Sequence, residues 1–258
     1  MTYNVWCRED VVLYSRMQAI SRLVQEHQPD VICFQEVTPY IHKIFESFSW
    51  WKDYHCSPVT PEDLATKQHF CLLEMKLPLT CALCREEDAA DPRGNTAQLE
   101  APSPPASMHC MERYVQAEHA VAALSSAEDV VFGGDMSWDD NTDLPFPLPA
   151  GWVDAWAQIP PPRTSWSADD YGTTCYGDLI DGHGLEAVGG SVRAPRKRSD
   201  RFVCKLQGYV LRGIEQIGIH KAGTGIEYYS VKRERYVEFM PSCHCGLVLK
   251  IAVRKRIL

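Results

Sequence analysis

The chain of 258 residues has no apolar run long enough to cross a bilayer. Its longest stretches, such as Val31–Phe34 and Gly246–Val253, fall far short of the roughly 20 residues a spanning helix needs. The basic and then apolar opening of a secretory signal is also missing. A soluble intracellular protein, nuclear or cytoplasmic and without a membrane partner, is therefore expected. There is no solenoid-type repeat and no bias that would leave the whole chain disordered. With 45% hydrophobic and 23% charged residues it can bury one large core, so a single domain over residues 1–258 is expected.

An even set of cysteines is absent too. Eleven cysteines are scattered through core and loop segments, which argues against a secreted disulfide framework and for reduced thiols. Cys81 and Cys84 form a lone C-x-x-C, and Cys243 and Cys245 flank His244. Zinc needs about four ligands, and these clusters lie far apart in sequence. Nor is there an excess of positive charge: the net charge of -8 argues against nucleic-acid binding by bulk electrostatics. The sign is uneven, however. Residues 193–258 carry 15 Lys/Arg against 5 Asp/Glu, so the basic C-terminal quarter suits either a polyanionic substrate or a solvated surface.

Strands and helices alternate along the chain. Thr2–Trp6 reads as a short strand, and Met17, Ile20, Leu23 and Val24 recur at helical spacing in a segment that must end before Pro29. Val31–Phe34 is a buried strand that delivers Gln35 and Glu36 at its end. Ile41, Ile44, Phe45 and Phe48 mark a second amphipathic helix after Pro39. Strand character returns around Tyr54–His55 and Phe70–Leu77. A third helix, near Cys110–Leu124, leads to strand Val130–Phe132 and the turn Gly133-Gly134-Asp135. Residues 143–151 are proline-rich loop, and Trp152–Trp156 is expected to pack that loop onto the core. Phe202–Leu206, Tyr209–Ile217 and Gly246–Ile251 complete the strands. Two segments, about 78–107 and 160–198, are turn-forming and divergent. The pattern predicts an α+β domain with helices outside a sheet sandwich.

Three strand ends carry Asn4, Glu36 and Asp135. A carboxylate or amide at the mouth of a rigid sheet can hold a hard divalent cation, because Mg²⁺ takes a few oxygen ligands and keeps room for water and phosphate. Each residue also has an ordinary structural reading: Glu36 as a cap near Thr38, Asp135 as a turn former, His244 as a half-buried surface histidine. Order raises the specificity. T-x-N at Thr2–Asn4, P-D-V-I-x-x-Q-E at Pro29–Glu36, G-G-D at Gly133–Asp135, S-D-R at Ser199–Arg201 and S-x-H at Ser242–His244 together resemble the motifs of the endonuclease/exonuclease/phosphatase superfamily. The stretch Val130–Asp140 is similar to its tyrosyl-DNA phosphodiesterase 2 branch, plant-type relatives in particular.

The resemblance implies a four-layered α/β sandwich of DNase I-like type and Mg²⁺-dependent phosphodiester hydrolysis, with Mn²⁺ as a substitute. In that reading Glu36 is the main metal ligand and Asn4 assists it. Asp135 activates the attacking water, Ser137 belongs to the catalytic set, and His244 stabilises charge on the phosphate with Asp200 in support. Arg201, Arg198 and Trp138 are expected to contact substrate, with Arg196 and Lys197 nearby. The implied partner is a DNA end, of the 5′-phosphotyrosyl and hence protein-linked kind, in DNA repair. Nothing in the sequence sets an oligomeric state.

Several positions depart from the pattern. The third motif, T-x-H-L-E, reads Thr96-Ala97-Gln98-Leu99-Glu100, which replaces an imidazole by an amide that cannot carry its charge. Upstream, Arg85–Asp91 stands where an apolar strand belongs, so a central strand is expected to be missing or distorted. The last motif, S-D-H, reads Ser242-Cys243-His244, and a thiol is a poor Mg²⁺ ligand. Ser137 replaces the common asparagine after G-G-D. Met1 opens directly on the first motif strand, as in a shortened product. These departures leave two expectations, a phosphodiesterase of impaired activity and a catalytically silent binding module on the same fold.

Overall fold

The computed structural model describes residues 1–76, 96–99, 109–140, 142–159, 198–218, 223–230 and 234–255. The Cys81/Cys84 pair, the segment Arg85–Asp91 and most of the two divergent stretches lie outside the described residues.

In chain order the elements are β1 (Thr2–Asn4), α1 (Leu13–His27), β2 (Val31–Val37), α2 (Pro39–Glu46), a 3-10 turn at Ser49–Asp53, β3 (Tyr54–Cys56), α3 (Pro61–Thr66) and β4 (Phe70–Lys76). They continue with β5 (Thr96–Gln98), α4 (Cys110–Leu124), β6 (Val130–Asp135), β7 (Trp152–Asp154), α5 (Ala155–Gln158) and β8 (Asp200–Lys205). The last four are β9 (Tyr209–Ile217), β10 (Glu227–Ser230), β11 (Arg235–Glu238) and β12 (Gly246–Val253). Local chemistry sets the boundaries. The α1 helix ends at Gln28, whose left-handed φ of 43° stops it just before Pro29. The α2 helix starts where the Thr38 hydroxyl accepts from the Ile41 amide at 3.1 Å, with Pro39 in the first turn.

Two sheets face each other. One has the strand order β3-β4-β2-β1-β12-β9 and the other β5-β6-β8-β7, while β10 and β11 form a separate hairpin. Alternation along β1 and β2 sends Tyr3, Ile32 and Phe34 outward under α1 and α2, where they join Met17, Ile20, Ile41 and Phe45 in one core. On the far side, Ala117 and Val121 of α4 cover Val130, Phe132 and Val203. Between the sheets, Leu247 and Ile214 pack on Phe202 and Cys204. The result is the four-layered sandwich expected from the motifs. Gly133 is required by this packing, because a Cβ there would clash with the Phe202 ring.

The expected loss of a central strand is corrected in one respect. The strand bearing Gln98 is present as β5, three residues long, parallel to β6 with Gln98 opposite Asp135. Three residues of parallel ladder suffice to bring Gln98 beside Asp135.

Candidate active site

The ends of β1, β2, β5 and β6 meet at one mouth between the sheets, but simple alternation does not bring Glu36 there. It would place Glu36 under the helices, on the face of Ile32 and Phe34. A bulge intervenes: the register with β4 shifts between Phe34 and Val37, and Glu36 adopts a left-handed φ of 58°. The carboxylate turns into the mouth and Val37 returns to the core. For a residue other than glycine that conformation costs roughly 1–2 kcal/mol, which the surrounding contacts must offset.

Asn4 is fully buried at the centre. Its Oδ1 accepts from the Trp6 amide at 2.9 Å, which aims Nδ2 outward to donate to Glu36 Oε1 and Asp135 Oδ2, both at 2.9 Å. Asp135 repeats the turn, since its Oδ1 accepts from the Ser137 amide at 2.8 Å. Trp6 and Ser137, two residues on from Asn4 and Asp135, both have left-handed φ angles, 59° and 50°.

Glu36 is saturated with donors. Oε1 also accepts from Gln98 Nε2 at 2.9 Å, and Oε2 accepts from the Cys7 amide at 3.0 Å. Burial by itself would raise its carboxyl, but the hydrogen bonds from Asn4 and Cys7 and the nearby His244 outweigh it and hold the group below its usual range. His244 Nδ1 lies 2.8 Å from Asp200 Oδ2, and its Nε2 faces Asp135 Oδ2 at 3.9 Å. Asp200 is the carboxylate bonded to the histidine ring, in the supporting position expected of it. Ligand atoms of Asp135, Asp200 and His244 all lie within 4.8 Å of one another. With the Glu36 carboxylate alongside, this mainly oxygen donor set fits a hard divalent cation, whereas Asn4 presents Nδ2, which donates and cannot ligate.

Other sequence candidates are placed differently. Ser137 is buried, and its hydroxyl donates to the Leu99 carbonyl at 3.2 Å, tying the end of β5 to the site. Trp138 is not brought to the mouth. It is 0% exposed, packs on Phe146 at 4.8 Å between ring centroids, and donates from Nε1 to the Leu144 carbonyl. Arg201 and Arg198 are engaged with carboxylates. Arg201 donates to Asp140 at 2.5 Å and Asp154 at 3.1 Å, and Arg198 to the same pair at 3.0 and 2.7 Å. Two cations and two anions make this cluster electrically neutral. Arg196 and Lys197 lie outside the described residues.

Two groups escaped the sequence reading. The Cys7 amide carries no sequence signature. Arg16 does carry one: it stands three residues after Leu13 and one before Met17, a charge inside the apolar stripe of α1, and it is 0% exposed.

A double sheet flanked by helices, with carboxylates, an amide and an Asp–His pair at one mouth, defines a protein of the DNase I-like fold class. The chain belongs to the endonuclease/exonuclease/phosphatase family, whose sequence profile matches residues 1–181. Among solved structures it is similar to TDP2 from Danio rerio complexed with single-strand DNA product, with a TM-score of 0.62, 15% identity and 97% of each chain covered. It is also similar to TDP2 from Caenorhabditis elegans, with a TM-score of 0.58 and 16% identity over 95% of this chain and 72% of that one. A mannosyl-6-phosphatase from Bacteroides thetaiotaomicron superimposes with a TM-score of 0.56 and 14% identity, over 97% of this chain and 98% of that one. No protein of curated function matches the sequence. Among the described residues no helix is long and apolar enough to cross a membrane.

Proposed function

We propose that the chain is a divalent-metal-dependent phosphodiesterase acting on DNA ends, with a 5′-phosphotyrosyl bond as its substrate and DNA repair as its setting. The observation that carries this reading is the hydrogen-bonded set Glu36–Asn4–Asp135, with the Asp200–His244 pair beside it. The similarity to a TDP2 complexed with single-strand DNA supports the choice of substrate.

Glu36 would hold Mg²⁺, or Mn²⁺ in its place, and Asn4, whose Oδ1 is taken by the Trp6 amide, would assist by holding the Glu36 carboxylate through Nδ2 rather than as a ligand. When bound, the ion supplies Lewis acidity to a phosphoryl oxygen. Asp135 is held by Asn4 and the Ser137 amide as the acceptor of the water's proton. His244, anchored at Nδ1 by Asp200, turns Nε2 toward the space where phosphate charge develops and would stabilise that charge as the imidazolium, with Nε2 also carrying a proton. Gln98 contributes a neutral donor where the family motif has a histidine, so the rate falls below that of a member with the full set. Losing one such donor typically costs about 10²- to 10³-fold.

One observation favours the second reading, a silent binding module. Glu36 already accepts three N–H donors, from Asn4, Gln98 and Cys7, so its carboxylate is satisfied by the protein alone. A panel of phosphodiesters with Mg²⁺ separates the two: a 5′-phosphotyrosyl oligonucleotide, a plain single strand, an RNA tail and a phosphoinositide. Turnover of the first above the others supports the proposal. Turnover of none of them, with metal binding also absent, supports the silent module.

A further inference from the structure

The Arg16 guanidinium has five N–H donors, and all five are used on backbone carbonyls. Nε donates to Pro241 at 2.9 Å, Nη1 to Arg8 at 2.6 Å and Val11 at 3.2 Å, and Nη2 to Val5 and Trp6, both at 2.6 Å. The Trp6 ring lies against the cation at 4.6 Å. Burial lowers its pKa to about 10, so it stays charged at neutral pH. A full charge is thus placed in the core to hold carbonyl groups that belong to no strand or helix.

Those carbonyls come from two segments that serve opposite halves of the site. The first, residues 5–11, leaves β1 directly after Asn4 and contains Trp6 in its left-handed conformation. Its amides hold the metal half: Trp6 N–H fixes Asn4, and Cys7 N–H binds Glu36 Oε2. The second segment passes through Pro241 to Ser242, whose hydroxyl oxygen accepts from the His244 amide at 3.1 Å. We infer that Arg16 is a positioning residue that sets the distance between the Asn4–Glu36 half and the His244 half of the site. Its consequence for catalysis rests on the phosphodiesterase reading above; its consequence for geometry does not.

The test uses the full chain and Arg16→Lys, which keeps the charge but has three donors for five carbonyls. The readouts are Mn²⁺ affinity by electron paramagnetic resonance, the amide resonances of Cys7 and His244, the thermal midpoint, and kcat and KM on a 5′-phosphotyrosyl oligonucleotide. Val121→Ala, on the buried face of α4 on the far side of the second sheet, serves as the control for lost stability. Arg16→Lys is expected to shift both amides and to weaken Mn²⁺ binding by about 10-fold or more, in the range seen when groups supporting metal ligands are removed. Lowered kcat with nearly unchanged KM is expected alongside, and Val121→Ala should show none of these. Unmoved Cys7 and His244 amides in folded Arg16→Lys would overturn the inference, as would equal effects in the control.

Ser242→Ala cuts only one arm and keeps the question open to test if Arg16→Lys does not fold. It is expected to move the His244 amide and leave that of Cys7 in place; an unmoved His244 amide overturns the linkage. If wild type neither binds Mn²⁺ nor cleaves, the phosphodiesterase reading fails, while the amide shifts still decide the role of Arg16.

Discussion

Asp200 holds His244 by its Nδ1 at 2.8 Å and thereby turns Nε2 toward Asp135, 3.9 Å away. An ionised carboxylate only accepts, so the Nδ1 proton is fixed and the other nitrogen faces the mouth. Asp200→Asn keeps the shape but offers the ring a donor as readily as an acceptor. The expected outcome is a fall in kcat of about 10²- to 10⁴-fold with little change in KM, as when a buried aspartate behind a catalytic histidine is neutralised. Steady-state kinetics on a phosphotyrosyl substrate reads this directly, and a change under threefold would contradict the role given to Asp200.

Gln98→His restores an imidazole at the end of β5, where the amide now donates to Glu36 at 2.9 Å. If that position contributes charge stabilisation in full members of the family, kcat should rise by about 10-fold or more. Single-turnover rates of the two proteins at saturating Mg²⁺ provide the comparison. An unchanged rate would mean that Gln98 does not stand in for a catalytic group.

Asp140 is the exposed partner in the neutral cluster, with 48% of its side chain accessible against 1% for Arg201 and 18% for Arg198. Asp140→Asn leaves the two guanidinium groups with one anion, Asp154, between them. DNA affinity at low salt should increase, and the slope of log K against log salt should steepen by about one unit, the signature of one more phosphate contact. Fluorescence anisotropy across a salt series measures both, and an unchanged slope would show that this cluster lies off the DNA path.

Glu74 is buried on β4, where burial pushes its carboxyl from the usual 4.5 up to about 7, with only the Cys56 thiol acting in the opposite direction. Between those values the folded protein holds a proton that the unfolded chain has released, so stability falls as pH rises through that window and levels off above it. The swing is about 3 kcal/mol, at 1.36 kcal/mol per pKa unit. Glu74→Gln should abolish it and be the more stable protein at pH 8. Urea midpoints for both proteins at pH 5 and pH 8 test the sign. Glu36 works the other way: its carboxyl is held low, so its contribution is present above the unfolded pKa and is lost as the solution is acidified.

Most of the sheet and helix framework was legible in the sequence because each element has a clear hydrophobic period. The stripe Met17–Ile20–Val24 and the run Val31–Phe34 admit few other readings. The strand-end residues Asn4, Glu36 and Asp135 were legible for the same reason. The bulge at Glu36 was not, because a register shift depends on the partner strand β4 rather than on local sequence. The hairpin β10–β11 was missed because Glu227, Arg235 and Glu238 leave its short strands without an apolar period. Trp138 and Arg201 were expected to contact substrate only through the family resemblance. Their burial depends on Phe146, Asp140 and Asp154, contacts made only after the chain folds.

Metal binding at Glu36 separates a phosphodiesterase from a silent binding module. Isothermal titration of Mn²⁺ and Mg²⁺ into wild type and Glu36→Ala, paired with cleavage of a 5′-phosphotyrosyl oligonucleotide by the same samples, covers both binding and turnover. Wild type should give a one-to-one isotherm and Mg²⁺-dependent release of tyrosine, with both lost in Glu36→Ala. Absent binding in wild type, or equal cleavage by the two proteins, would contradict the phosphodiesterase reading.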